Sequence, residues 1–260
     1  MVHVGTCGFS YEDWRGVFYP EDLVKRDFLR HYSSEFSVLE LDTTFYRLPN
    51  SSFLERLGEK TPDDFHFFIK AYRGITHEIG DDSQSHLGRF LDALSPLVMI
   101  KKLGGILLQF PYSFHKNSKN VKYLEALLAS TRGIVSILEF RNRDWFNEEV
   151  FHLLREHDAG FCSVDEPRLK GLPPPSAIVT STIVGYVRLH GRNAAKWWVH
   201  QDPSERYDYL YSDEELADWR DKILEMAAKA RDIHVMFNNH RGGKAIINAR
   251  RMKDILRGEH

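Results

Sequence analysis

"YVRLHGR", residues 186–192, puts Tyr186, Arg188 and His190 on one face of a strand and Val187 and Leu189 on the other, because side chains alternate along extended backbone. A face made of a phenol, a guanidinium and an imidazole either meets water or looks into a polar site. Its neighbours in the chain decide between the two.

Seven other runs share this strand character: residues 2–7, 38–42, 66–70, 105–110, 134–140, 160–165 and 233–239. Between them lie segments whose apolar residues recur three and four apart, the mark of helices with one buried face. The clearest covers 212–231, with Leu216, Trp219, Ile223, Met226, Ala227 and Ala230 on one stripe and Ser212 with Glu215 as a capping box. Leu23, Val24, Phe28, Leu29 and Tyr32 form a stripe near the front, and Ala245, Ala249, Met252, Ile255 and Leu256 form the last. Strands separated by helices pair in parallel, and eight such units in 260 residues point to a closed (β/α)8 TIM barrel, ahead of a doubly wound open sheet. The stretch "EPRLKGLPPPSAIVTSTIVG" after strand six contains no good helix, so that crossover is expected to be irregular. With no repeat or linker in sight, residues 1–260 are expected to form one barrel domain.

In a barrel the helix-facing side chains must be apolar, which fixes the inward set of each strand. Val187 and Leu189 face the helices, so Tyr186, Arg188 and His190 face inward. The same test turns Glu40 and Asp42, Phe68 and Lys70, Glu139 and Arg141, and Ser163 and Asp165 inward, with Gln109, Asn238 and Cys7 completing the ring. These polar groups then converge at the carboxyl ends of the strands, where barrels of this type carry their sites. The competing reading is a salt-bridged plug that closes the barrel.

Composition narrows the classes. Apolar content of 42% and charged content of 28% describe an ordinary globule, and a net charge of -2 supplies no global basic field for nucleic acid. Two cysteines, Cys7 and Cys162, do not make a disulfide scaffold and fit a reducing compartment. The chain enters a strand pattern at once and has no run of eighteen apolar residues, so the expectation is a cytoplasmic protein without a membrane span.

The segments "GTCGFSYEDWRGVFYP" (5–20), "LDTTFYRLP" (41–49), "FIKAYRGITH" (68–77), "LLQFPYSF" (107–114), "LEFRNRDW" (138–145), "YVRLHGR", "RYDYLYSDEEL" (206–216) and "FNNHRGGKAIINA" (237–249) together resemble the DUF72, or YecE-like, family. The resemblance runs through nearly the whole chain in order. It implies a (β/α)8 barrel and supplies no reaction; a more distant likeness to endonuclease IV-type and xylose isomerase-type barrels concerns the fold alone. Cys7 and Phe9 stand where the family often has serine and tryptophan, and Asp42 where it often has asparagine, which weighs against a catalytic Cys7.

Several sites are expected at the mouth. Gly242 and Gly243 open the last helix, whose bare N–H groups suit an anion; Arg188, Arg192, Asn238 and Asn239 lie nearby, and the loops after strands seven and eight often hold phosphate in such barrels. The alternative is a glycine turn that only starts a helix. Glu139, Asp165 and His190, with Glu40, suit one divalent metal, or else a hydrogen-bonded charge network. Tyr46, Trp145, Trp197 and Trp198 are candidates for stacking on a flat ligand, against the plainer role of packing within loops.

The expected function is binding, with possible hydrolysis, of a phosphate-bearing ligand, a nucleotide or nucleic acid. Arg188, Arg192 and the glycine amides would hold phosphate, Glu139 or Asp165 would act as base or metal ligand, His190 as acid, and Lys70 or Arg141 would steady negative charge. The alternatives are a carbohydrate-active barrel with paired carboxylates and a non-catalytic nucleic-acid-binding module.

Overall fold

The computed structural model describes residues 1–258. Eight parallel strands, β1 (Val2–Cys7), β2 (Val38–Leu41), β3 (His66–Lys70), β4 (Leu103–Phe110), β5 (Ser136–Phe140), β6 (Gly160–Asp165), β7 (Val184–Leu189) and β8 (Asp232–Phe237), pair in chain order. β1 also pairs with β8, Val2 opposite Ile233 through Thr6 opposite Phe237, so the sheet closes into the expected (β/α)8 barrel. The helices are α1 (Phe28–Ser33), α2 (Ser51–Glu59), α3 (Arg73–Thr76), α4 (Ser83–Ala93), α5 (Ser95–Met99), α6 (Ser118–Ser130), α7 (Glu148–Glu156), α8 (Asp213–Ala227) and α9 (Lys244–Arg257). None of them is long and apolar enough to cross a membrane.

α8 begins as its sequence dictates. Ser212 Oγ accepts from the Glu215 amide while the Glu215 carboxylate accepts from the Ser212 amide, and Leu216, Trp219, Ile223 and Met226 are buried. The first stripe is shorter than expected. Only Phe28–Ser33 is α-helical, and Val24 is half exposed ahead of it.

Two apolar layers follow from strand alternation. Leu39, Leu41, Phe67, Ile69, Leu138, Phe140, Val187 and Leu189 pack outward against the helices, in the large outer core. Cys7, Val38, Phe68, Leu107, Ile137, Cys162, Val164, Tyr186 and Met236 fill the barrel interior. The expected alternation therefore holds in β2, β3, β5 and β7, and it is reversed in β6.

β6 was expected to turn Ser163 and Asp165 inward, and it turns Cys162 and Val164 inward instead. The cause is the helix-free crossover from β6 to β7. Loop backbone laid on a strand needs hydrogen-bond partners that an apolar face cannot give. Ser163 Oγ accepts from the Ile178 amide, and Thr180 Oγ1 accepts from the Phe161 amide. Asp165 points to the same outer side, where it accepts from Trp219 Nε1 of α8 at 2.6 Å.

Candidate functional site

Above the apolar interior lies a buried layer of charge, drawn from the carboxyl ends of the strands. Arg188 of β7 reaches across the barrel and donates to Glu40 of β2 at 2.5 Å and to Glu139 of β5 at 2.6 Å. Tyr186 donates to the second oxygen of Glu40 at 2.8 Å. Arg141 ion-pairs with Glu139 at 2.5 Å and with Glu166 at 3.0 Å. His190 is fully buried; its Nδ1 accepts from Asn238 Nδ2 at 2.9 Å, so its Nε2 carries the proton facing Glu139 at 3.3 Å.

These carboxyls do not share one protonation state. Burial acts to raise Glu139, but Arg141, Arg188 and His190 overcome it and hold its carboxyl well below the usual range. Burial pushes Glu40 up to about 7, Arg188 offsetting it in part and Asp42 adding to it. Burial likewise pushes Glu166 up to about 8 against the pull of Arg141. Near neutral pH Arg141 and Arg188 face the firmly ionised Glu139, with Glu40 and Glu166 pushed toward their neutral forms and Asp42 3.8 Å from Arg188. Burial, with Arg141 second, drives His190 well below its ordinary value, so its imidazole is neutral.

On this layer sits a hollow of about 380 Å³. Its polar wall is Lys70, His77, Gln109, Arg141 and Arg206, and its rings are Phe45, Tyr46, Tyr112, Trp197, Trp198 and Tyr207. Among the described residues, no aspartate or glutamate lines it. Lys70 Nζ lies 4.7 Å from the centre of the Phe45 ring, and the Arg141 guanidinium 5.7 Å from that of Trp197. Burial, Lys70 and Arg141 lower His77 to about 4, so it is a neutral imidazole beside two cations. Tyr46 is 73% exposed and Trp198 52% exposed, rings at the rim that make T-shaped contacts with Phe45 and Tyr112 respectively.

The family model described as "Protein of unknown function DUF72" matches residues 3–260. The chain belongs to the DUF72 family. It is 32% identical over 271 residues to UPF0759 protein YunF of Bacillus subtilis, spanning 98% of this chain and 95% of that one. A DUF72 family crystal structure from Thermotoga maritima is 40% identical with a TM-score of 0.90, covering 99% of both chains. Another, from Enterococcus faecalis, is 28% identical with a TM-score of 0.89, covering 99% of this chain and 96% of that one.

In this DUF72 barrel, six of the residues singled out from the sequence line the hollow: Tyr46, Lys70, Gln109, Arg141, Trp197 and Trp198. Arg188, Glu139, Glu40, His190 and Asn238 form the buried layer, where Arg188 serves the carboxylates rather than open space. Asp165 and Arg192 leave the interior together. Gly191, at φ +90°, takes a conformation that suits glycine and turns the chain after His190; Arg192 then binds Asp165 at 2.7 Å and Glu215 of α8 at 2.6 Å.

The glycine cradle is already filled from within. Gly242 donates its N–H to Asp13 at 2.7 Å, Gly243 donates to the His240 carbonyl, and Lys244 pairs with Asp208. Asn239 is buried against the Tyr209 carbonyl and Asn248. Trp145 is core rather than a stacking ring. It lies parallel to Phe114 and Phe140 and donates Nε1 to the Phe114 carbonyl at 2.5 Å.

The donors named for a metal are not brought together, because Asp165 is outside the barrel wall. The tightest set of potential ligands among the described residues is Cys7, Glu40 and Asp42, with atoms within 4.8 Å of one another. Arg188 Nη2 stands 2.5 Å from Glu40 and 3.5 Å from Cys7, so an ion there would face a guanidinium already holding those donors. The residues do not fit a divalent metal. His77, Tyr112, Arg206 and Tyr207 line the hollow without having been singled out, since loop residues escape a test based on strand alternation. Their signal lay in "FIKAYRGITH", "LLQFPYSF" and "RYDYLYSDEEL", which were read for resemblance alone.

Proposed function

We propose that this DUF72 protein binds a phosphate-bearing ligand with a planar ring, a nucleotide, in the hollow at the carboxyl mouth of its barrel. The supporting observation is the lining: three cations and six aromatic rings, with no carboxylate among the described residues. The volume of about 380 Å³ falls in the range of small-ligand sites, roughly 300–1,000 Å³. In this reading Lys70 and Arg206 meet the phosphate, Arg141 supplies charge from the floor, and Tyr46 and Trp198 flank the ring.

Were water to attack phosphorus and the ester oxygen to leave, Lys70 and Arg141 would steady the charge on the phosphate oxygens; His77, lowered to about 4, is too weak a base to take the proton from that water. Glu139 and His190 act as positioning residues that hold Arg141 in place. The carbohydrate reading would require two carboxylates on the wall, and this wall has none. We assign the function to residues 1–260 as one domain working in the cytoplasm, in keeping with the two buried, unpaired cysteines.

The test is calorimetric titration of adenosine and uridine monophosphates into the protein and into K70A/R206A. Binding is expected in the millimolar range or tighter, and a loss of at least tenfold in the double variant. Affinity should also fall from pH 7 to pH 9 as Glu40 and Glu166 ionise beneath the hollow, and E166Q should flatten that fall. Undetectable binding, or equal binding to the double variant, overturns the proposal.

A further inference from the structure

A second recess, of about 410 Å³, adjoins the mouth along residues 43–56. Its wall includes Thr43, Thr44, Asn50, Phe53 and two arginines, Arg47 and Arg56, again without a carboxylate. Three other hollows, of about 200, 280 and 310 Å³, each include aspartate or glutamate. In a chain with 37 acidic residues against 35 basic ones, two acid-free hollows side by side single out one stretch of surface.

The two hollows are joined by the chain itself. Tyr46 lines the first and Arg47 the second, and neighbouring Cα atoms are about 3.8 Å apart. Thr44, on the wall of the second, donates to the Lys70 carbonyl at 2.6 Å, and Lys70 lines the first. Arg47 and Arg56 are exposed, and neither has an acidic partner among the described residues. Other exposed arginines, such as Arg30, Arg89 and Arg143, also lack an acidic partner among the described residues; Arg47 and Arg56 differ in lining one acid-free hollow together.

A mononucleotide fills only the first hollow and leaves the two arginines unengaged. A ligand whose negative charge repeats along a flexible backbone, with a flat group at each repeat, satisfies both. We infer that the ligand is a single-stranded nucleic acid, with one nucleotide seated among Tyr46, Trp198 and Lys70 and the next backbone phosphates crossing residues 43–48 to Arg47 and Arg56. This rests on the nucleotide reading above. A duplex does not fit the assignment, since its bases are stacked on one another and cannot meet the rim rings.

The experiment measures fluorescence anisotropy of labelled oligo-uridylates of two, four and eight residues, alongside calorimetry with uridine monophosphate, for wild type and R47A/R56A. Affinity should rise at least tenfold from the mononucleotide to the octamer. The double variant should lose that gain while keeping its monophosphate affinity within twofold and its thermal stability unchanged. Its slope of log K against log salt should be shallower by about 1.4, from two fewer phosphate contacts on a single strand. Length-independent binding, an unaffected double variant, or equal affinity for a duplex of the same length overturns the inference and leaves the nucleotide site standing. Failure of the monophosphate and of every oligomer removes both.

Discussion

Replacing Arg188 with methionine removes the guanidinium that touches both Glu40 and Glu139 and leaves a side chain that still fills the space. Taking one partner from a buried ion pair costs about 3–5 kcal/mol, because the remaining charge stays out of water. Glu139 keeps Arg141 at 2.5 Å, whereas Glu40 keeps the Tyr186 hydroxyl beside Cys7 and Asp42 and no ion pair, so Glu40 carries the pH-dependent part of the loss. At pH 8 the variant should therefore lose about 3–5 kcal/mol, or roughly 10 °C in melting temperature.

The loss must depend on pH, and its direction follows from Glu40. In the wild type this carboxyl titrates near 7, so at pH 8 it is ionised and held by Arg188, while at pH 6 it is neutral with or without the arginine. The part of the deficit owed to its charge disappears over that interval, about 1.4 kcal/mol for one proton per pH unit. Urea unfolding of both proteins at pH 8 and pH 6 measures the difference. E40Q/R188M should recover part of the loss at pH 8. A deficit below about 1 kcal/mol, or one that does not shrink at pH 6, refutes the picture of a buried charge layer held by Arg188.

His234 is buried against Phe68 and stacked on His3, and burial, then His3, lowers it to about 3. The unfolded chain therefore binds a proton that the native state refuses, and stability owed to this group falls as pH drops below about 6.5. Relative to wild type, H234Q should gain about 2 kcal/mol between pH 7.5 and pH 5 in urea unfolding, and a constant difference would sink the assignment. Asp165, sealed against Trp219 and Arg192, has a structural role: D165N should lose about 2 kcal/mol of stability with nucleotide affinity unchanged, and the reverse pattern would return it to the binding site.

The barrel was legible because its outer strand faces are apolar wherever a helix covers them, and Val187, Leu189, Leu138 and Phe140 are enough to orient β5 and β7. The same rule failed in β6 because a loop covers it, and loops ask for polar partners. Arg188, Glu139 and His190 could be placed at the mouth end of their strands, yet their use was not legible: alternation says which way a side chain leaves the backbone, not whether it meets ligand or another charge. The hollow itself is built from loops, and Arg206 and Tyr207 arrive from a segment more than a dozen residues past β7. Gly242 and Gly243 looked like an anion cradle, but Asp13, distant in sequence, supplies the anion.

The bridge from Arg188 to Glu40 and Glu139 also bears on the order in which the chain can be completed. Synthesis delivers Glu40 and Glu139 well before Arg188, so a nascent chain that ends after β6 would bring two carboxylates toward one interior without the guanidinium that holds them both. The guanidinium that joins Glu40 to Glu139 is therefore added only when about seven tenths of the chain has been made, and β2 and β5 are tied across the interior no earlier than that.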